Sequence, residues 1–563
     1  MAELATPFGR HGAYLRIDVS SGEATSVPIP VDVARRFVGG VGLGAWICLR
    51  EGGDRADALA PDAPLVFALS PLVGTPLTTS AKFAVVGRSP LTGFLSDAVS
   101  SSHFAIAAKR AGFDAYVLKG RAPRLARLAV DNGAVEVRDA AHLAGLPAGE
   151  CVLDGFRTAA IGPAGENLVR YATITNDGRH AGRGGLGAVM GAKNLKAFSI
   201  RGAAETELAD PRGVVAAARV LSEKSFGPAT AKYRELGTIA NVLVFNRLNA
   251  LPTRNFSEQS FEDAPKISAE VLHEMDRIGR ASCAACTIGC EHIFRPPGGR
   301  AVRLEYETLF ALGALLGIGD RRAILEAAAL CDRLGMDTIS AGGTLAFAME
   351  AGLGDLRFGD AKGMLAALES ISARTGDGDL LAEGSRTAAD RAGRPELAMH
   401  VKGLEIPGYD PRRLPAMALG FAVGTRGADH NRSGAYEIDF SPEAFDIARL
   451  VDVENRSAAM DSLILCKFLR GVFSDFGREG SELLRLVTGD EVDLDEVGRT
   501  VCDLRKVFNI RAGWRREDDT LPARLLQGEL SPQKLADMIL LYYRARGWTD
   551  DGLVPESSPE KYS

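Results

Sequence analysis

The apolar positions change rhythm about a third of the way along the chain. Up to about Ala204 they come in short runs broken by glycine and other turn residues: AYLRIDVSSG, PLVFALSPL, AKFAVVGRS, DAYVLKG, RLAVDNGAVEVRD, YATITND and KAFSI. Short runs between turn signals predict β-strands. After Asp210 the stretches lengthen, as in RGVVAAARVLSEKS, RRAILEAAALCDRLG and AKGMLAALESISART, and apolar residues return at helical spacing. The expected fold class is α+β, with a β-rich N-terminal domain over 1–205 and two largely α-helical domains over 206–405 and 406–563. The second boundary is placed at the turn-rich stretch KGLEIPGYDPRR, residues 402–413. The polar tail GLVPESSPEKYS is expected to be mobile.

Composition narrows the function. A net charge of -6 with 25% charged residues leaves no basic stripe for nucleic acid. Of the eight cysteines, Cys283, Cys286 and Cys290 are clustered, whereas Cys48, Cys151, Cys331, Cys466 and Cys502 are scattered. That is no disulfide framework, so the reducing cytoplasm is the expected compartment. The stretch MAELATPFGRHGAYLRIDV has no continuous apolar core of a signal peptide, and no segment approaches the roughly 20 apolar residues of a membrane span.

The cysteine cluster carries the strongest chemistry. ASCAACTIGCEHIF presents CxxCxxxC, with Gly289 letting the loop bend and Cys466 available as a remote fourth ligand. Four soft thiolates suit an iron–sulfur cluster. A structural zinc site and three ordinary buried thiols are the bland readings; zinc sites usually pair their ligands two and two, and no second CxxC or HxxxH follows. CxxCxxxC also reverses the CxxxCxxC order of radical S-adenosylmethionine enzymes.

Two further motifs are weaker alone. AGRGGLGAVMG, 181–191, fits the letters of GxGxxG, but KNLKAFSI follows after too short a helix for a dinucleotide fold. Its bare backbone and Arg183 read better as a phosphate cradle, or as a tight turn against the sheet. DRLGMD, Asp332–Asp337, and DSLILC, Asp461–Cys466, each set an aspartate five positions before an Asp or Cys. Helix-terminal aspartates are usually caps; the second motif gains weight because it ends on Cys466.

Together with YLRIDVSSG, FVGGVGLGAW, GRSPLTG, LEYETL, LGMDTIS and RGADH, these motifs resemble the tungsten-containing aldehyde ferredoxin oxidoreductase family over nearly the whole chain. The resemblance implies that the β-rich domain seats two pyranopterins holding one tungsten, or molybdenum. It implies one [4Fe–4S] cluster on Cys283, Cys286, Cys290 and Cys466. Asp332 and Asp461 would contact pterin nitrogens, and Arg183, Gly184 and Gly185 would lie against the pterin phosphates, which a magnesium ion commonly bridges. Asp337, Arg432 and Leu465 would complete the pterin contacts. Glu307 matches the family's active-site glutamate and His430 its histidine beside the metal, although each alone would pass for a helix ion pair and a core histidine. The implied reaction converts an aldehyde and water to an acid, with ferredoxin or an accessory iron–sulfur subunit as acceptor.

The chain also departs from the family. DAVSSSHFA has Val99 near an asparagine position and Ser101 and Ser102 for a double glycine, which puts the magnesium ligands in doubt. Lys82 replaces a pterin-contacting arginine, keeping the charge but losing the fork. Ile464 stands where a glycine is usual. The ExxH pair that joins two subunits through a metal reads Glu326, Ala327, Ala328, Ala329, so a homodimer would lack that metal. Reduction of an acyl-thioester or aromatic ring on the same cofactor is the nearest rival, and a pterin-free iron–sulfur electron carrier is the rival from another class.

Overall fold

A computed structural model of the chain describes residues 8–101, 103–441 and 443–555. Ser102 and the last part of the polar tail, 556–563, lie outside them, as does the start of the stretch read for a signal peptide. The predicted strands, joined by four that the apolar runs did not announce, form two six-stranded sheets. Strands β1 (Ala13–Asp18), β2 (Ala24–Pro28), β3 (Leu65–Ala68), β4 (Lys82–Arg88), β5 (Leu95–Ser101) and β6 (Ala115–Lys119) build the first, in the order β2-β1-β6-β3-β4-β5. Strands β7 (Ala126–Asp131), β8 (Ala134–Asp139), β9 (Arg157–Ile161), β10 (Ile174–Asn176), β11 (Arg179–Ala181) and β12 (Leu195–Arg201) build the second, in the order β11-β10-β9-β12-β7-β8.

The sheets bury a common apolar layer with the helices His103–Arg110 and Leu186–Ala192. Aromatic rings interlock there: Phe67 meets Phe198 edge-on at 5.1 Å, and Phe83 lies 4.8 Å from Phe104. The other face of the first sheet is covered by the helix Gly40–Arg50, which packs in turn on Ile447–Leu463 and Leu494–Arg511. The end of the chain therefore closes over its beginning. FVGGVGLGAW owes Gly40 and Gly42 to this contact, because a Cβ on Gly40 would overlap the Asp461 carbonyl and the Ile464 side chain and one on Gly42 would strike Ser462 Oγ.

The helical part is started by aspartates. Asp320, Asp337, Asp360, Asp446, Asp475 and Asp493 each N-cap a helix by accepting a backbone N–H, which satisfies one of the orphan donors of its first turn. A small sheet of β13 (Arg277–Ala281), β14 (Glu291–Phe294) and β15 (Val302–Arg303) interrupts the helices. The CxxCxxxC stretch is the connection from β13 to β14. Among the described residues no helix is long and apolar enough to cross a membrane.

Candidate active site and metal centre

One cavity of about 440 Å³ lies where the β-rich part meets the helices, and its walls come from both. Of the expected site residues only Gly184, Gly185 and Cys286 do not line it. The two glycines serve packing: both have left-handed φ, and a Cβ would strike Ser96 Oγ at one and the Arg170 carbonyl at the other. Gly182 and Arg183 are the members of that stretch which face the cavity.

The cysteine wall is assembled by a pair of threonines that sequence reading missed. Thr79 N–H donates to the Ala285 carbonyl at 2.7 Å, and Thr78 Oγ1 accepts from Thr287 N–H at 3.0 Å. Thr79 Oγ1 also accepts the Cys466 N–H at 3.4 Å. The segment before β4 thus brings Cys466 to the Cys283–Cys290 loop. Burial, and next the neighbouring Cys466, push the Cys286 thiol up to about 11 and Cys290 higher still, so an incoming metal has to displace their protons. Among the described residues no three His, Cys, Asp or Glu side chains gather on one ion.

A second wall is a buried lattice of arginines and aspartates. Arg183 donates to the carbonyls of Ala428 and Glu405 and stands 3.5 Å from Asp337, which spends its oxygens capping the helix Thr338–Ala351. Arg432 bridges Asp461 at 3.0 Å and also reaches Asp97 on β5, while Arg426 pairs with Asp429 at 2.6 Å. Lys467 approaches Asp461 at 3.2 Å. Sequence reading missed Asp97, Arg426, Asp429 and Lys467. Asp97 opens DAVSSSHFA, Lys467 directly follows DSLILC, and Arg426 and Asp429 belong to RGADH, read there for its histidine alone. Asp332 lies at the rim, 41% exposed, and pairs with His180 at 3.1 Å.

The third wall holds Glu307, in the first turn of the helix Tyr306–Leu312, and His430, which opens the helix His430–Ser433. Asp429 caps that short helix through the Asn431 and Arg432 N–H groups and so aims His430. Glu307 Oε1 and His430 Nδ1 lie 3.5 Å apart, and neither atom has another hydrogen-bond partner. Glu307 Oε2 accepts the Gly408 N–H at 3.0 Å. Burial raises the Glu307 pKa to about 8 against that hydrogen bond and Arg183, with Asp429 and Asp337 adding to the rise. Burial likewise lowers His430 to about 4, although Asp429 opposes it. At neutral pH the pair is a carboxylic acid beside a neutral imidazole.

Comparison with known proteins places this geometry. The family model for the N-terminal domain of aldehyde ferredoxin oxidoreductase matches residues 14–202, and the model for its domains 2 and 3 matches 216–562. The chain belongs to the aldehyde ferredoxin oxidoreductase family. Tungsten-containing aldehyde ferredoxin oxidoreductases of Pyrococcus furiosus and Thermococcus kodakarensis are each 36% identical over 98% of this chain and 99% of their own. The WOR-like subunit of an aliphatic sulfonate oxidoreductase of Pyrococcus furiosus is 28% identical over 98% of the chain and 97% of its own. The fold matches the active site complex BamBC of benzoyl coenzyme A reductase, solved with 1,5-dienoyl-CoA, at a TM-score of 0.85 and 23% identity, over 99% of this chain and 97% of that one.

This family member is an oxidoreductase, and membership implies a tungsten pterin cofactor. The cavity fits such a group. The Nε atoms of Arg183, Arg426 and Arg432 are buried without hydrogen-bond partners, and these three residues line the same space as Asp332, Asp337 and Asp461. Unpartnered buried donors of this kind call for an anionic or strongly polar occupant.

Proposed function

We propose that this oxidoreductase converts an aldehyde and water to a carboxylic acid, two protons and two electrons. Cys283, Cys286, Cys290 and Cys466 would hold one [4Fe–4S] cluster, which would supply the electron exit toward ferredoxin or an accessory iron–sulfur subunit. The observation that carries this reading is the Glu307–His430 pair, set in the same cavity as the cysteine wall.

A tungsten (or molybdenum) bis-pyranopterin, with or without magnesium, would supply the two-electron redox chemistry, and Lys82, Arg183, Asp332, Asp337, Arg432, Asp461 and Leu465 would hold it. The β-rich domain, 1–205, seats it, and the helical domains, 206–405 and 406–563, close over it. Glu307 is the general base for the attacking water. A pKa of about 8 suits that work, since a base is most effective when its pKa is near the working pH. His430, neutral and aimed by Asp429, orients the aldehyde oxygen and steadies the charge that grows on it. Their 3.5 Å separation closes to a hydrogen bond with a small movement.

Glu307→Gln and His430→Asn, compared with wild type at matched tungsten and iron content, should each lose about 10²–10⁴-fold in aldehyde-dependent dye reduction. Full turnover in either would remove that residue from the mechanism. Turnover of an alkyl sulfonate or an aromatic acyl-thioester without any aldehyde oxidation would overturn the substrate class.

A further inference from the structure

The hairpin of β10 and β11 joins the two halves of the site. Its two-residue turn is Asp177–Gly178, both at positive φ, which matches the twist of the strands it connects. Just past the turn, Arg179 points to the cysteine loop, where its Nη2 donates to Cys283 Sγ at 3.0 Å. The same nitrogen donates to Glu291 Oε2 at 2.8 Å.

Glu291 follows Cys290 directly, opens β14 and is buried. It is also paired with Arg303 of β15, and Arg303 in turn grips the hairpin through the Gly178 carbonyl. Arg179 is therefore fixed from two sides: its own strand is clamped at the turn, and its guanidinium is held by a carboxylate one residue from a cysteine. A surface arginine would have neither restraint. The arrangement delivers a guanidinium, its charge shared with Glu291, and an N–H···S hydrogen bond to one sulfur of the cysteine set.

We propose that Arg179 sets the reduction potential of the iron–sulfur cluster, acting as a positioning residue through Cys283. The inference rests on the four-cysteine reading above. One electron entering the cluster adds one negative charge to the iron, sulfide and thiolate group and breaks no bond. A cation and a hydrogen bond at a ligand sulfur stabilise that reduced form more than the oxidised one, which raises the potential. The device suits a cluster that must accept electrons from the neighbouring cavity.

The test is a dye-mediated redox titration of the holoenzyme with dithionite, following the reduced cluster by electron paramagnetic resonance, for wild type, R179K and R179Q. Iron content is measured alongside. Midpoint potentials should fall in the order wild type, R179K, R179Q, because lysine keeps the charge but not the planar fork. At a fixed potential R179Q should show an about tenfold lower ratio of reduced to oxidised cluster, equivalent to about 59 mV for a one-electron couple. Should R179Q fail to retain iron, a lowered midpoint in R179K alone carries the inference. An unchanged or raised midpoint in every variant that keeps its iron would overturn it. A wild-type protein with no reducible cluster would instead overturn the four-cysteine reading itself, and the inference with it.

Discussion

DRLGMD and DSLILC are built to one plan and used in two ways. Each ends a helix, Arg321–Leu334 and Ile447–Leu463, and each places its fourth residue in the left-handed conformation as the helix stops, Gly335 at φ 79° and Ile464 at φ 60°. Each then sends the chain back toward the cavity, to Asp337 in one and Cys466 in the other. Asp332, however, lies at the rim with His180 as partner, whereas Asp461 is 3% exposed and held between Arg432 and Lys467. Glycine reaches the left-handed region freely; a β-branched residue does so only when its surroundings hold it there. Ile464 is held: it is fully buried, and Gly40 of the covering helix leaves room for it by having no side chain. The same backbone turn is thus reached by local freedom at one motif and by tertiary packing at the other.

Substitutions can break this comparison in graded steps. Asp461→Asn should cost about 3–5 kcal/mol in urea unfolding, because it leaves buried cations short of their counter-charge. Gly335→Ala should cost about 1–3 kcal/mol, since alanine is strained at that φ and its Cβ would crowd the Gly162 backbone. Asp332→Asn should cost less than about 1 kcal/mol, as expected of an exposed ion pair. A loss at Asp332 equal to that at Asp461 would erase the distinction between rim and interior.

Much of this was legible in the sequence because it is local. Strand runs, helical spacing and the cysteine loop follow from neighbouring residues, and the resemblance to the family points to Glu307 and His430, which the structure sets 3.5 Å apart. What was not legible depends on residues far apart in the chain. Thr79 bridges Ala285 and Cys466, and Glu291 of β14 holds Arg179 of β11 against Cys283. No spacing rule announces such contacts. The glycine stretch shows the opposite difficulty: its letters suggest a phosphate cradle throughout, yet Gly184 and Gly185 are spent on close packing and only Gly182 and Arg183 face the cavity. Ile464 stands where a glycine is usual, and the absent side chain of Gly40 is what accommodates it.

The most direct test of the catalytic pair is the pH dependence of kcat/KM for aldehyde oxidation, which reports the free enzyme. Because burial raises Glu307 to about 8, it is protonated at pH 7 and becomes a competent base only as the pH rises. His430, lowered to about 4, stays neutral throughout that range. The rate should therefore climb about tenfold per unit from pH 6 and level off near pH 8, and the rise should vanish in Glu307→Gln. A flat or falling profile between pH 6 and 9 in the wild type would contradict the assignment of Glu307 as the base.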